Sequence, residues 1–282
     1  MRKFFGIARV ATLRIGAIAT LFLCVGVAQA QSLPATITIS GNIATARIGP
    51  GNDLLADFSL TFDEPRGLSA AALGISARLV DINDPQLVAR LPPMTAIPAA
   101  LPLLITVEPP TNGGLEFDRT VAAELHTHDL LYAAGSRLRL FKAPPNGEFR
   151  DISNQISPGS VRARGTTGGF SEFLVLVDTR PSSAVIADKF VRLRAVAALL
   201  PRQRRAVVNS YINSAEQAVA DGDYSGAVTI LELLRAFVAS RAGGSIPETW
   251  LASGGSSNIA GGLLAGASSL QYSIGYLRDF GD

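Results

Sequence analysis

The chain has 282 residues, with 25 Lys and Arg against 23 Asp and Glu, two His, one Cys and 48% hydrophobic residues. The near-neutral charge excludes a strongly basic nucleic-acid binder, and the apolar content excludes an acidic, solvated, disordered chain. A chain of this length suggests about two domains.

The N-terminus has the layout of a secretory signal. Its basic start contains no acid, and an apolar run follows over residues 15–27 before the small-residue site Ala28-Gln29-Ala30. The run is shorter than the roughly 20 residues that a membrane-spanning helix needs. We therefore predict a signal peptide over residues 1–30, export to the periplasm or beyond a bacterial cell, and no membrane span after cleavage.

Cleavage would change the chemistry of the chain. Loss of four basic residues leaves 21 basic against 23 acidic groups, a formal net charge of −2, and removes Cys24. A chain without cysteine has no disulfide framework, thiol nucleophile or thiolate metal site. Such an exported protein must depend on its hydrophobic cores.

Over residues 31–180, apolar and polar residues alternate with a period of two. Phe58, Leu60 and Phe62, for example, alternate with polar residues, and segments rich in Pro, Gly and Asn separate such runs. This pattern predicts an N-terminal antiparallel β-sandwich domain. Further strands are predicted over residues 36–40, 75–82, 103–107, 120–128, 136–142, 160–164 and 171–177, and a short helical turn over residues 68–73.

From Pro181 the period becomes 3.6, which predicts a helical bundle of about four helices over residues 181–282. The fold class is then α+β with segregated parts. Residues 245–262, rich in Gly and Ser with Trp250, are predicted to form the longest loop. In the last helix, glycines that each cost about 1 kcal/mol relative to Ala indicate close packing. These are Gly261, Gly262, Gly266 and Gly275.

A first candidate site lies in the predicted strand 120–128. Glu124, His126 and His128 would share one face of the strand, and two imidazoles with a carboxylate could bind zinc or iron. The opposite face is apolar and is predicted to face the core, so the polar face also fits the solvent side of a half-buried strand. Arg137 and Arg139 on the following strand would bring cations beside the histidines, which favours an ion-paired surface.

A second candidate site is the segment 221–232, which matches the pattern of a calcium-binding loop. Its oxygen donors would be Asp221, Asp223, Ser225 and Glu232, with a glycine at the sixth position to turn the chain. The alternative is that Gly222 ends one helix and Asp223 caps the next. A helix through residues 227–232 could not wrap an ion, and no partner loop is present in the sequence.

No catalytic residue and no cofactor are predicted. The sequence contains no G-x-S-x-G nucleophile elbow, no phosphate-binding Walker loop and no dinucleotide fingerprint. Both histidines lie in one short segment, so acid–base chemistry by histidine would have to use that strand.

Two regions resemble known modules. Residues 101–177 resemble the β-sandwich module shared by ankyrins and netrin receptors, through Pro102–Val107, Leu138–Lys142 and above all Thr167–Leu176, which is similar to its closing T-x-F-S-x-F strand. Residues 218–238, with Gly222-Asp223-Tyr224 before an apolar stripe, resemble the FIMAH-type helical module of bacterial exported proteins. The two matches cover about half of the cleaved chain.

The whole arrangement resembles an uncharacterised family of exported proteobacterial proteins. Neither module implies an active site, and both act in structure or interaction. With the signal, the two-part layout and the missing catalytic groups, we predict a non-enzymatic exported protein that binds a cell-envelope or extracellular partner. The residues leave two alternatives open: a metal-dependent enzyme at Glu124, His126 and His128, or a calcium-binding module at residues 221–232.

Overall fold

The computed structural model describes residues 31–51, 53–157 and 160–282, so the predicted signal peptide lies outside the described residues. The fold class is α+β. Within the described ranges, sixteen strands form three antiparallel sheets, and six helices include four long ones that follow most of the strands. Helix and strand each account for about a third of the structure.

The strands are β1 (Gln31–Leu33), β2 (Ala35–Ser40), β3 (Ile43–Ile48), β4 (Ala56–Phe62), β5 (Pro65–Arg66), β6 (Ile75–Leu79), β7 (Thr95–Ala96), β8 (Leu103–Val107), β9 (Glu116–Asp118), β10 (Val121–Leu131), β11 (Leu138–Ala143), β12 (Arg150–Asp151), β13 (Ser153–Ser157), β14 (Ser160–Thr167), β15 (Glu172–Asp178) and β16 (Thr249–Leu251). The helices are α1 (Ala70–Leu73), α2 (Pro85–Val88), α3 (Ser182–Ala197), α4 (Arg202–Ala220), α5 (Tyr224–Ala239) and α6 (Ile259–Phe280).

Two large sheets share one core. One has the order β1-β6-β8-β15-β11-β12 with β7 paired to β15, and the other has the order β13-β14-β10-β4-β3-β2. The alternating apolar residues of β4 and β10 lie in the same buried cluster as residues of β8 and β15. Phe58 and Phe173 meet in this cluster, with their ring centroids 5.1 Å apart.

The central strands of the first of these sheets, β8, β15 and β11, are buried on both faces. Phe173 and Val175 of β15 belong to the shared core, whereas Leu174 and Leu176 pack on the other side with Phe141 and Phe149. This two-sided burial explains why β15 is a continuous apolar run instead of an alternating pattern.

The four long helices enclose a separate core. Their apolar stripes supply Phe190, Ile212, Leu231 and Ile274, among others, to one cluster of buried side chains. Helix α4 begins directly after Pro201, as expected for a residue that favours helix starts. None of the helices among the described residues has the length and the apolar character to cross a membrane.

The prediction of one long loop over residues 245–262 is wrong. Within it, β16 pairs with β9 and β5 in the third sheet, and Gly261 and Gly262 already belong to α6. Trp250 stacks on Phe117 with a centroid distance of 5.2 Å and meets Phe170 edge-on. Local periodicity could not reveal this strand, because its pairing partner lies more than 100 residues earlier in the chain.

Candidate functional site

The strand that carries the histidines is β10, and its polar face is an ion-paired surface. His126 Nε2 lies 2.6 Å from Ser160 Oγ, and its Nδ1 lies 3.9 Å from a carboxylate oxygen of Asp57. The His126 and His128 rings meet edge-on with centroids 5.0 Å apart. Burial, with the nearby charge of Arg162, holds the pKa of His126 below its ordinary value.

The cations on this face come from a different strand than expected. Arg162 and Arg164 of β14 lie opposite His126 and Glu124 in the β10–β14 ladder, and both form ion pairs with Glu124. Arg137 and Arg139 are not beside the histidines, because β11 belongs to the other large sheet. Across the described residues, no group of three His, Cys, Asp or Glu side chains is arranged to hold a metal ion.

The second candidate, residues 221–232, forms a helix–turn–helix instead of an ion-binding loop. Helix α5 begins at Tyr224 and therefore contains Ser225 and Glu232. Asp223 is the N-cap of this helix and accepts a hydrogen bond from Gly226 N at 2.8 Å. Asp221 instead accepts a hydrogen bond from the Gln217 side chain. The four oxygen donors thus do not surround a common point in the loop.

We expect Asp223→Ala to lower the free energy of unfolding by about 1 kcal/mol, because the N-cap acceptor is lost. Urea denaturation followed by circular dichroism measures this loss. The control is Asp221→Ala, which removes an exposed carboxylate outside the cap and should change stability little. A rise in melting temperature with Ca²⁺ in the wild type, abolished by Asp223→Ala, would restore the calcium hypothesis.

A cleft lies between the sheets and the helices, with a volume of about 440 Å³. Five elements contribute to it: β11, β12, β14, α3 and α6. Glycines allow these elements to approach each other closely. A Cβ at Gly168 would lie 2.8 Å from the backbone of Gly261, which is too close for any larger residue at this position. The apolar part of the lining includes Ile152, Leu193, Val196 and Ala265.

Positive charge is concentrated in this cleft. Lys142 and Arg150 lie directly opposite each other in the β11–β12 ladder, so their side chains are on the same face of the sheet. Burial, together with the charge of Arg150, lowers the pKa of Lys142 to about 8. Arg192 of α3 also lines the cleft, and burial lowers its pKa despite its ion pair with Asp188.

The Lys142 ammonium is held by a hydroxyl group and not by a carboxylate. Its Nζ donates to Thr167 Oγ1 at 2.7 Å, and Thr167 Oγ1 in turn donates to Gly169 O at 2.8 Å. Because the hydroxyl proton is already donated to Gly169, the hydroxyl oxygen is available as the acceptor for the ammonium group. This chain of hydrogen bonds fixes the position of the lysine in the cleft.

The acid of the cleft is already neutralised. Asp151 of β12 forms a buried ion pair with Lys189 of α3, with a distance of 2.6 Å between Oδ2 and Nζ. Lys189 also donates to the hydroxyl groups of Ser269 and Ser273 on α6. This pair therefore connects a sheet to two helices, and it leaves Lys142 and Arg150 of the same ladder without an acidic partner among the described residues.

Sequence reasoning missed the cleft, although one compositional signal pointed to it. The 25 basic residues include only three lysines, Lys3, Lys142 and Lys189, and the two outside the predicted signal both line the cleft. Lysine differs from arginine in that its pKa shifts readily on burial, as it does at both of these positions.

A comparison with protein-family models matches residues 18–278 to a family of unknown function, DUF6689. Searches of curated proteins and of solved structures found no match. Since the family match spans nearly the whole chain, this protein belongs to the DUF6689 family.

Proposed function

We propose that the protein is a non-enzymatic, exported binding protein that engages a cell-envelope or extracellular partner through the cleft. The observation that carries the proposal is the cluster of cations in a cleft of about 440 Å³, a volume within the range of ligand-binding pockets. A cavity that joins the sheets to the helices is also a common place for a ligand to bind.

We infer that the two parts are an N-terminal β-sandwich, over residues 31–180, and a C-terminal bundle of about four helices. Two large sheets with a common core support the sandwich, and a separate core within the long helices supports the bundle. The resemblance to the FIMAH-type module, in which the Gly-Asp-Tyr turn opens a helix, is supported by the cap at Asp223 and the start of α5 at Tyr224.

The absence of an activated nucleophile in the cleft supports binding over catalysis. The hydroxyl groups of Thr167 and Ser269 each lie 2.7 Å from a lysine with a lowered pKa, but both donate their protons elsewhere. Thr167 donates to Gly169 O, and Ser269 donates to Asp151 O. Asp151 is held by Lys189 and is not available as a general base. The arrangement thus positions charges, but within the described part of the cleft it offers no activated hydroxyl group and no unpaired carboxylate.

Export is supported by the order of basic, apolar and small-residue segments at the N-terminus. We propose that the protein acts in the periplasm or outside the cell.

Filling the cleft tests the proposed function. Ala265 is nearly buried in the cleft wall, so Ala265→Trp should block it, whereas Ala195→Trp adds the same bulk at an exposed position of α3. Each protein is isolated from the exported fraction of the cells that make it and examined by native mass spectrometry. We expect wild type and Ala195→Trp to carry a bound species that Ala265→Trp lacks. The same species on all three proteins, or on none, would contradict binding in the cleft.

A further inference from the structure

The like charges of Lys142 and Arg150 are unfavourable in the protein by itself. Residues directly opposite each other in an antiparallel ladder have Cβ atoms about 5 Å apart, and like charges at such positions are destabilising. Among the described residues, neither side chain has a carboxylate within ion-pair distance. The fold therefore keeps two adjacent positive charges that it does not neutralise.

The nearby acids are engaged elsewhere. Asp151, which follows Arg150, is paired with Lys189. Asp188 pairs with Arg192 and lies 3.6 Å from Arg180. Glu172 of β15, next to β11, is held by Arg90. Positive charge therefore outweighs negative charge where β12 and α3 border the cleft.

The rest of the cleft is suited to an apolar group. Leu193 and Val196 of α3 line it beside Gly262 and Gly266 of α6, and a Cβ at either glycine would lie about 3 Å from one of those side chains. The glycines thus let the two helices pack closely, and Leu193 and Val196 form an apolar wall on this side of the cleft. A ligand that fits both features has a negative group and a small hydrocarbon part.

We propose that the cleft binds a small organic anion, with its carboxylate or phosphate group contacted by Lys142, Arg150 and Arg192 and its apolar part lying along α3 and α6. This inference rests on the proposed function and specifies the chemistry of the ligand. An anion would relieve the repulsion between the two opposed cations, so part of its binding energy comes from a strain that the free protein already contains.

The first experiment compares three probes of similar size: hexanoate, hexyl phosphate and the neutral hexanamide. Isothermal titration calorimetry with the purified protein measures their affinities. We expect an anionic probe to bind about tenfold or more tightly than hexanamide, because hydrogen bonds to charged groups are stronger than neutral ones. The ratio of the affinities for hexanoate and hexyl phosphate shows which anionic group the site prefers.

Two variants, Arg150→Gln and Lys142→Met, test whether the anionic probe binds in the cleft. Arg150 is exposed on an edge strand, so Arg150→Gln should fold normally and weaken the anionic probe about tenfold. The matched control, Arg47→Gln, removes an exposed strand arginine from the other large sheet and should leave the affinity unchanged. Lys142→Met, checked for folding by circular dichroism, should weaken the probe as well.

Binding should also depend on pH. The charged groups around Lys142 are Arg150 and Asp151 of β12 and Lys189 and Arg192 of α3. Since the pKa of Lys142 is lowered to about 8, the free site loses positive charge as the pH rises through that value. We expect the affinity for the anionic probe to fall over this range, and to fall less in Lys142→Met.

Two results would overturn the anion inference without overturning the proposed function. One is equal affinity for hexanamide and hexanoate, with no effect of Arg150→Gln, which indicates a neutral ligand. The other is no binding of any probe at millimolar concentration while the exported protein still carries a species that Ala265→Trp loses. If that species is absent as well, the proposed function fails with it.

Discussion

Lys189→Met is expected to lower the free energy of unfolding by about 3–5 kcal/mol, because it leaves the Asp151 carboxylate buried without its partner. Both side chains are almost inaccessible, with exposed fractions of 8% for Lys189 and 2% for Asp151. The ammonium group also donates to Ser269 and Ser273, so the substitution breaks contacts among three elements. Urea denaturation followed by Trp250 fluorescence measures the loss.

The double variant Lys189→Met, Asp151→Asn is the control. It removes both charges, and replacement of a buried ion pair by uncharged groups is often neutral or better. Asparagine retains an oxygen that can accept the hydrogen bond from Ser153 N. We expect the double variant to recover most of the stability. A loss under about 1 kcal/mol in the single variant, typical of a surface pair, would contradict the structural role.

The ion pair also predicts a pH dependence of stability. Burial alone would raise the pKa of Asp151, but the charges of Lys189 and Arg139, with the hydrogen bond from Lys189, lower it below its ordinary value. Stabilisation by this group is therefore complete above the pKa of the unfolded chain, about 3.9, and is lost as the pH falls through the lower folded value. In Lys189→Met burial dominates and raises the pKa, so the gap between variant and wild type should narrow in acid.

The second large effect concerns two glycine-to-alanine substitutions in α6, which should change the stability of the protein in opposite directions. Gly261→Ala should destabilise the protein by about 1–3 kcal/mol or more, as overpacking does, because its Cβ would lie 2.0 Å from Arg119 O. Asn258, the N-cap of α6, accepts a hydrogen bond from Gly261 N. Its amide nitrogen donates to Arg119 O at 2.6 Å and to Gly168 O at 3.0 Å. The clash would therefore also disturb the cap.

Gly275→Ala should instead stabilise the protein by about 1 kcal/mol, because alanine has the higher helix propensity and no atom lies within 4 Å of the added Cβ. Thermal denaturation of both variants measures the contrast. If both substitutions shift the melting temperature in the same direction, the close approach of α6 to the turn before β10 does not govern stability there. The sequence marked these glycines as equivalent, and only packing distinguishes them.

Elements that follow a local pattern were predictable. The strand predicted over residues 103–107 is β8, and Pro181 directly precedes α3. Short strands that depend on a partner could not be predicted. The strands β13 and β16 acquire their conformation from pairing with residues of other segments. The placement of Arg137 and Arg139 was wrong for the same reason, since the order of strands in a sheet differs from their order in the chain.

The sequence by itself determined where the chain alternates, where it turns helical and which segments are apolar, because side-chain burial in a strand or helix follows from the spacing of neighbouring residues. Only the tertiary structure decided which charges meet. Lys142 and Arg150 are brought together by the register of one ladder, and Arg192 joins them through the packing of α3 against the sheets. Register and packing depend on contacts between distant segments, so the cationic cleft exists in the fold and not in any local pattern.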